Sequence, residues 1–175
     1  MNTRVLILGW GNPGRGDDGL GPEFVRAFDQ LSLPGVTAES DYQLQVEAAS
    51  EVAGCQEVLF VDADRRGPEP FWIERLSAEA GLSFSTHSVS PAAILALARD
   101  LFQAEPQAWL LGIRGYEFDE FGERLSCRAR ANLEQALQYV KSAVQGDGFA
   151  EIRPAPARLQ NSRDRVGDLC QTTSP

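Results

Sequence analysis

Arg4-Val5-Leu6-Ile7-Leu8-Gly9 leads directly into Trp10-Gly11-Asn12-Pro13-Gly14-Arg15-Gly16-Asp17-Asp18-Gly19, and these two segments together decide the fold. The first is almost continuously apolar and stops at glycine, the pattern of a strand buried on both faces. The second is dense in glycine, as a tight turn from strand to helix requires. Phe24, Val25, Phe28 and Leu31 then recur at helical spacing, with Pro22 near the first turn, where a missing N–H costs nothing. Strand, turn and amphipathic helix in this order open a parallel α/β unit.

The remainder of the chain repeats the theme. Gly35 to Glu39 reads as a short strand, and Tyr42 to Ala53 as a second helix stopped by Gly54. Glu57-Val58-Leu59-Phe60-Val61 is another buried run, ending at Asp62, while Phe71 to Leu76 alternates like an edge strand. Ser90-Pro91 supplies a cap and a first helical proline, and Ile94, Leu95, Ala98, Leu101 and Phe102 line one face of the helix that follows. Ala108 to Ile113 is a last strand, and Leu133, Leu137, Val140 and Val144 form the stripe of a closing helix ending before Gly146-Asp147-Gly148. The fold class is therefore α/β, one domain with a mostly parallel sheet and helices on both faces. That domain spans 1–147. The segment 148–175 lacks an apolar period, is rich in Pro, Arg, Ser, Thr and Gln, and reads as a disordered tail.

Composition narrows the function. With 175 residues, 43% hydrophobic, the chain can bury a core, and its net charge of −9 makes nucleic acid a poor partner. No apolar run approaches a membrane span, and the start matches no signal peptide. Cys55, Cys127 and Cys170 are scattered and odd in number, which argues against a disulfide framework or a structural zinc and fits a cytoplasmic location.

Gly9, Gly11 and Gly14 satisfy G-x-G-x-x-G after a strand, a dinucleotide fingerprint, but two adjacent carboxylates before the helix would repel a pyrophosphate. Gly11-Asn12-Pro13-Gly14 also looks like the opening of peptidyl-tRNA hydrolase, yet that family's Thr-Arg-His-Asn segment is missing. Neither reading accounts for Asp17 and Asp18 together at the mouth of the sheet.

Ligands of open α/β sheets bind beyond the carboxyl ends of the strands. Three ionisable residues fall there: Asp18 after the first strand, Asp62 at the end of Val58 to Val61, and His87, the only histidine, before Ser90-Pro91. Two carboxylates and an imidazole form an open ligand set for zinc, nickel or manganese. Each has a plainer reading: Asp18 as a helix cap, Asp62 as a turn acid bonding the Ala63-Asp64 backbone, His87 as a structural residue. An aspartic dyad of Asp18 and Asp62 is a further option, because close carboxylates share a proton and activate water. Cysteine or serine nucleophiles fit less well. Cys127 opens the last helix as a packing thiol, and no G-x-S-x-G elbow is present.

Gly11-Asn12, Gly16-Asp17-Asp18-Gly19-Leu20-Gly21, Val61-Asp62-Ala63 and Thr86-His87-Ser88-Val89-Ser90-Pro91, in this order and spacing, resemble the [NiFe]-hydrogenase maturation proteases. The resemblance runs from Val5 to about Val144 and implies a twisted five-stranded sheet and action as a monomer. It implies an endopeptidase that trims the C-terminal extension of the hydrogenase large-subunit precursor. It also implies Asp18, Asp62 and His87 as the catalytic, metal-contacting set, with Asp17 left without a role. The nickel would arrive with the precursor, and no organic cofactor is implied. The Arg-Gly-Asp-Asp-Gly form and His-Ser-Val-Ser-Pro look like the branch serving soluble, NAD-linked hydrogenases. Where many members carry Asp-Gly-Gly before the second helix, this chain has Ser40-Asp41-Tyr42-Gln43-Leu44, which bears on substrate choice. Phe118 and Glu120, after the last strand, are candidates for contacting the large subunit, with a solvated acidic loop as the plainer reading. The competing functions are a non-catalytic nucleotide- or metal-binding module and a metal-dependent hydrolase of small amides.

Overall fold

A computed structural model of the chain describes residues 3–78, 89–119, 121–146 and 149. Five strands, β1 (Thr3–Trp10), β2 (Val36–Asp41), β3 (Cys55–Asp64), β4 (Phe71–Leu76) and β5 (Gln107–Arg114), form one sheet in the order β2-β1-β3-β5-β4. The first four neighbours run parallel and β4 lies antiparallel on the β5 edge, as its alternation anticipates. Three helices, α1 (Leu20–Asp29), α2 (Ala48–Ala53) and α3 (Pro91–Phe102), lie between strands, and α4 (Cys127–Gln145) follows β5.

Side-chain alternation assigns each strand's residues to one of two cores. Val5 and Ile7 of β1, Leu59 and Val61 of β3, and Leu111 and Ile113 of β5 pack under α1 and α4, where Phe24 and Phe28 stack at 5.7 Å. Leu6, Leu8, Val58 and Phe60 face the other way, against Ala49 and Val52 of α2 and Ile94, Leu95 and Ala98 of α3. Strands walled on both sides must be apolar at every position, hence the unbroken runs. Phe149 joins the α1–α4 core, 1% exposed and 5.2 Å from the Trp109 ring. The rest of 148–175, read from the sequence as a disordered tail, lies outside the described residues.

Several readings need correction. The second helix is only Ala48–Ala53, not Tyr42 to Ala53, although Gly54 does end it. Tyr42 is 67% exposed and Val46 43%, so the stretch before Ala48 has no buried face to hold a helix against. Leu31 lies beyond the end of α1, and Leu101 and Phe102 are exposed on the last turn of α3 rather than facing the core. Gln103, left-handed at φ 55°, ends that turn. Cys127 is exposed at the first position of α4, so it is not a packing thiol, and Cys55 is free.

Chain order reverses at β1. The chain moves from β1 to β2 on one side, then crosses to β3 on the other. The crevice beyond the ends of β1 and β3 is therefore the topological switch point, where ligands of such sheets bind.

Candidate functional site

Asp18 and Asp62 sit on either side of that crevice. Asp62 is inside β3 rather than just after it, because the strand runs on to Asp64 and pairs Asp62 with Gly112. It shares a face with Phe60, and so does Trp10 of β1, whose ring meets Phe60 edge-on at 6.3 Å. One Asp62 oxygen accepts from the Ala63 N–H at 2.8 Å, as the turn-acid reading foresaw, and the polar edge of the Trp10 indole lies near enough to favour the ionised carboxylate.

Asp18 belongs to a 3-10 turn, Gly16–Gly19, that joins β1 to α1. It does not cap α1, whose N-terminus has no side-chain cap; instead its Oδ2 accepts from the Asn12 N–H at 3.1 Å. Two glycines make this placement possible. Gly11 has φ 139°, and a Cβ there would collide with the Asp18 carbonyl oxygen. A Cβ on Gly21 would strike the Trp10 carbonyl and crowd that of Val61, so the start of α1 rests directly on the ends of β1 and β3.

The electrostatics of Asp62 link the two acids. Burial pushes its carboxyl up from the ordinary 3.8 to about 6, the neighbouring Asp18 and Asp64 charges add to the rise, and the Ala63 N–H and the Trp10 indole oppose it. Asp18 is thus close enough for its charge to be felt. Two carboxylates at one crevice can hold a cation between them or share a proton. They fit a divalent ion as two oxygen donors of an incomplete shell. Among the described residues no three His, Cys, Asp or Glu side chains form a metal-ligand group, and His87, the third expected member, lies outside the described residues. The chain is described again from Val89, and Ser90 caps α3 by accepting from the Ala93 N–H at 3.1 Å. The α3 C-terminus leads within four residues to the start of β5, so the end carrying Ser90 points towards the edge of the sheet where the carboxylates lie.

A cleft of about 330 Å³ opens beside Trp10, between β2 and the chain leading into α2. Leu44 and Ala48 give it an apolar side and Glu39, Asp41, Glu47 and Glu51 an acidic one. Burial and then the adjacent Glu39 hold the Glu51 carboxyl above its usual range.

Asp17, left without a role by the sequence, is the most committed residue of the turn. It is 0% exposed. Its Oδ1 accepts from the Ser126 N–H at 2.7 Å, and its Oδ2 from Tyr116 N–H, Glu117 N–H and the Ser126 hydroxyl at 2.8, 2.9 and 2.8 Å. Those donors lie 99 to 109 residues away, beyond the reach of any local spacing signal. Phe118, a candidate for partner contact or for a solvated loop, is instead buried, with the Arg65 guanidinium 4.2 Å from its ring centre, whereas Phe121 is 88% exposed. Glu120 lies outside the described residues.

No protein-family profile and no curated protein matches the chain. Solved structures do. The [NiFe] hydrogenase maturation protease HycI from Thermococcus kodakarensis KOD1 superposes with a TM-score of 0.67 at 23% identity, covering 82% of this chain and 94% of that one. The hydrogenase maturating endopeptidase HybD from E. coli gives 0.64 at 24% identity, covering 83% and 94%. The hydrogenase 2 maturation peptidase from Thaumarchaeota archaeon SCGC_AB-539-E09 gives 0.59 at 24% identity, covering 81% and 97%. At these identities the likeness establishes a shared fold over nearly the whole length of each neighbour, the five-stranded α/β arrangement expected from the sequence.

Proposed function

We propose that this chain is an endopeptidase that removes the C-terminal extension of a nickel-loaded [NiFe]-hydrogenase large-subunit precursor. One observation supports the reading: Asp62 feels the charge of Asp18 at the switch point of a sheet whose solved neighbours are hydrogenase maturation proteases. Function lives in a site rather than in a fold, so the carboxylate pair is the part that matters.

Peptide hydrolysis needs a positioned water and a place for the charge that develops on the carbonyl oxygen. Nickel belongs to the substrate and supplies Lewis acidity when the precursor is seated. The chain's own residues then have separate tasks. Asp18, oriented by the Asn12 N–H, offers a carboxylate to the ion or to the water. Asp62, with its raised proton affinity, takes up and returns a proton near neutral pH, and the Ala63 N–H orients it. His87 completes the set in this reading. Two oxygens and an imidazole hold a free ion weakly, so cleavage would wait for a loaded substrate.

The raised Asp62 carboxyl beside Asp18 also favours a second mechanism, an aspartic dyad in which Asp62 holds the shared proton and Asp18 acts as base. The cleft beside Trp10 has room for side chains of an extended peptide, which suits a polypeptide substrate better than a small amide. Arg15-Gly16-Asp17-Asp18-Gly19 and His87-Ser88-Val89-Ser90-Pro91 support a soluble, NAD-linked hydrogenase as the partner, with the protease acting as a cytoplasmic monomer.

The experiment mixes the purified chain with large-subunit precursor, with and without nickel, and follows precursor mass. Loss of the C-terminal extension only in the nickel-loaded sample is expected, and Asp18→Asn and Asp62→Asn should both prevent it. Trimming that is independent of nickel selects the dyad. Trimming by both variants removes the site.

A further inference from the structure

We infer that Asp17 is a positioning residue of the proposed reaction, tying the turn that carries Asp18 to the β5–α4 loop so that Asp18 is held in register with Asp62. The inference rests on the functional reading above only for its activity arm.

The loop after β1 and the loop after β5 leave strands that are not neighbours, because β3 lies between them. They are nevertheless joined at several points. Gly16 N–H donates to Gly122 O at 2.8 Å, Gly122 N–H to Gly14 O at 3.0 Å, and Asp17 N–H to Glu117 O at 2.8 Å. The Asp17 carboxylate adds four accepted hydrogen bonds, three of them from backbone N–H groups. A buried carboxylate is tolerated only when its oxygens are so satisfied, and here every donor comes from the opposite loop. The two loops thus form a bridge across the end of β3, the strand that carries Asp62. Asp18 is the next residue along the chain. Among the described residues its carboxylate accepts one bond, from Asn12 N–H, and its own N–H donates to Arg15 O at 3.2 Å within the same turn, so the backbone fixed by Asp17 largely sets where that carboxylate lies.

Placement of this kind is a geometric requirement of catalysis, in which displacements of about 1 Å cost large factors in rate. Asp17→Asn keeps size and shape but sets an NH2 group against N–H donors, breaking the clamp. The folded variant should lose about tenfold or more in kcat for precursor trimming with KM within about twofold, the pattern of a lost transition-state alignment. The Asn12 amide, which reports whether Asp18 is in place, should exchange hydrogen at least about tenfold faster, while the Ile7 amide in the centre of the sheet keeps its protection. Ser126→Ala removes one donor and should show both effects more weakly, with Ser126→Thr restoring them; this pair carries the test where Asp17→Asn does not fold. A folded Asp17→Asn, or Ser126→Ala in its place, with unchanged kcat and unchanged Asn12 exchange overturns the inference and leaves Asp17 a purely stabilising role. If the unsubstituted chain trims no precursor, the functional reading falls, and Asn12 exchange still decides whether Asp17 positions Asp18.

Discussion

Asp62→Asn should yield a protein that is more stable above neutral pH and inactive. In the folded chain the Asp62 carboxyl titrates at about 6 instead of 3.8, because burial and then the charges of Asp18 and Asp64 disfavour its ionised form. A rise of roughly two units at about 1.4 kcal/mol each amounts to about 3 kcal/mol. The direction follows from linkage: the folded state binds the proton more tightly than the unfolded state. Asp62 therefore contributes most below its unfolded value of 3.8, and that contribution is lost as pH rises through about 6. At pH 8 the native protein carries the full cost of a largely buried charge. Asparagine cannot ionise, keeps a carbonyl oxygen for the Ala63 N–H, and turns an amide N–H toward Asp18. At about 2–4 °C per kcal/mol for a domain of this size, the variant should melt roughly 6–12 °C higher at pH 8. The gain should shrink through pH 6 and vanish near pH 4. Thermal melts of both proteins at these three pH values check it, alongside precursor trimming. A variant that melts at or below the parent at pH 8, or gains the same margin at every pH, would refute the assignment of Asp62 as a strained, proton-holding carboxylate.

Asp18→Asn and Trp10→Phe should move the Asp62 titration in opposite directions, downward where a neighbouring charge is removed and upward where the polar edge of the indole is lost; carboxyl carbon NMR titrations read both shifts. Ser90→Ala removes the N-cap of α3 and should cost about 1 kcal/mol in urea unfolding, with the slope on denaturant unchanged. Phe149→Ala empties a fully buried site against Trp109 and should cost about 3–5 kcal/mol in the same assay. A loss under about 1 kcal/mol would separate Phe149 from the core.

The fold was legible because burial on two faces leaves an unmistakable mark. Val5 to Leu8 and Val58 to Val61 are apolar at every position, and only a sheet covered by helices on both sides makes use of that. The edge strand was legible for the complementary reason: Phe71 and Ile73 of β4 are buried while Trp72 between them and Glu74 after them are more open, so its pattern alternates. Helix ends were harder. Tyr42 to Glu47 carries apolar residues at plausible spacing, yet Tyr42 and Val46 stay exposed. Periodicity reports what could be buried, whereas neighbours decide what is.

Asp17 and Asp18 show where a sequence stops informing about a site. As adjacent carboxylates in one turn they are indistinguishable by type, spacing and local context. Chain topology separates them. Asp17 turns toward α4 and meets donors about a hundred positions later, while Asp18 turns toward β3 and raises the proton affinity of Asp62. The spent carboxylate is fully buried and accepts four hydrogen bonds from the protein, so it is closed to a substrate; Asp18, which accepts one among the described residues, is not. Neither division of labour works without the other, because an acid free to bind an ion repels its partner and must be held in place by something that is not itself available. An adjacent pair of acids, one buried as anchor and one presented as ligand, meets that requirement within two residues.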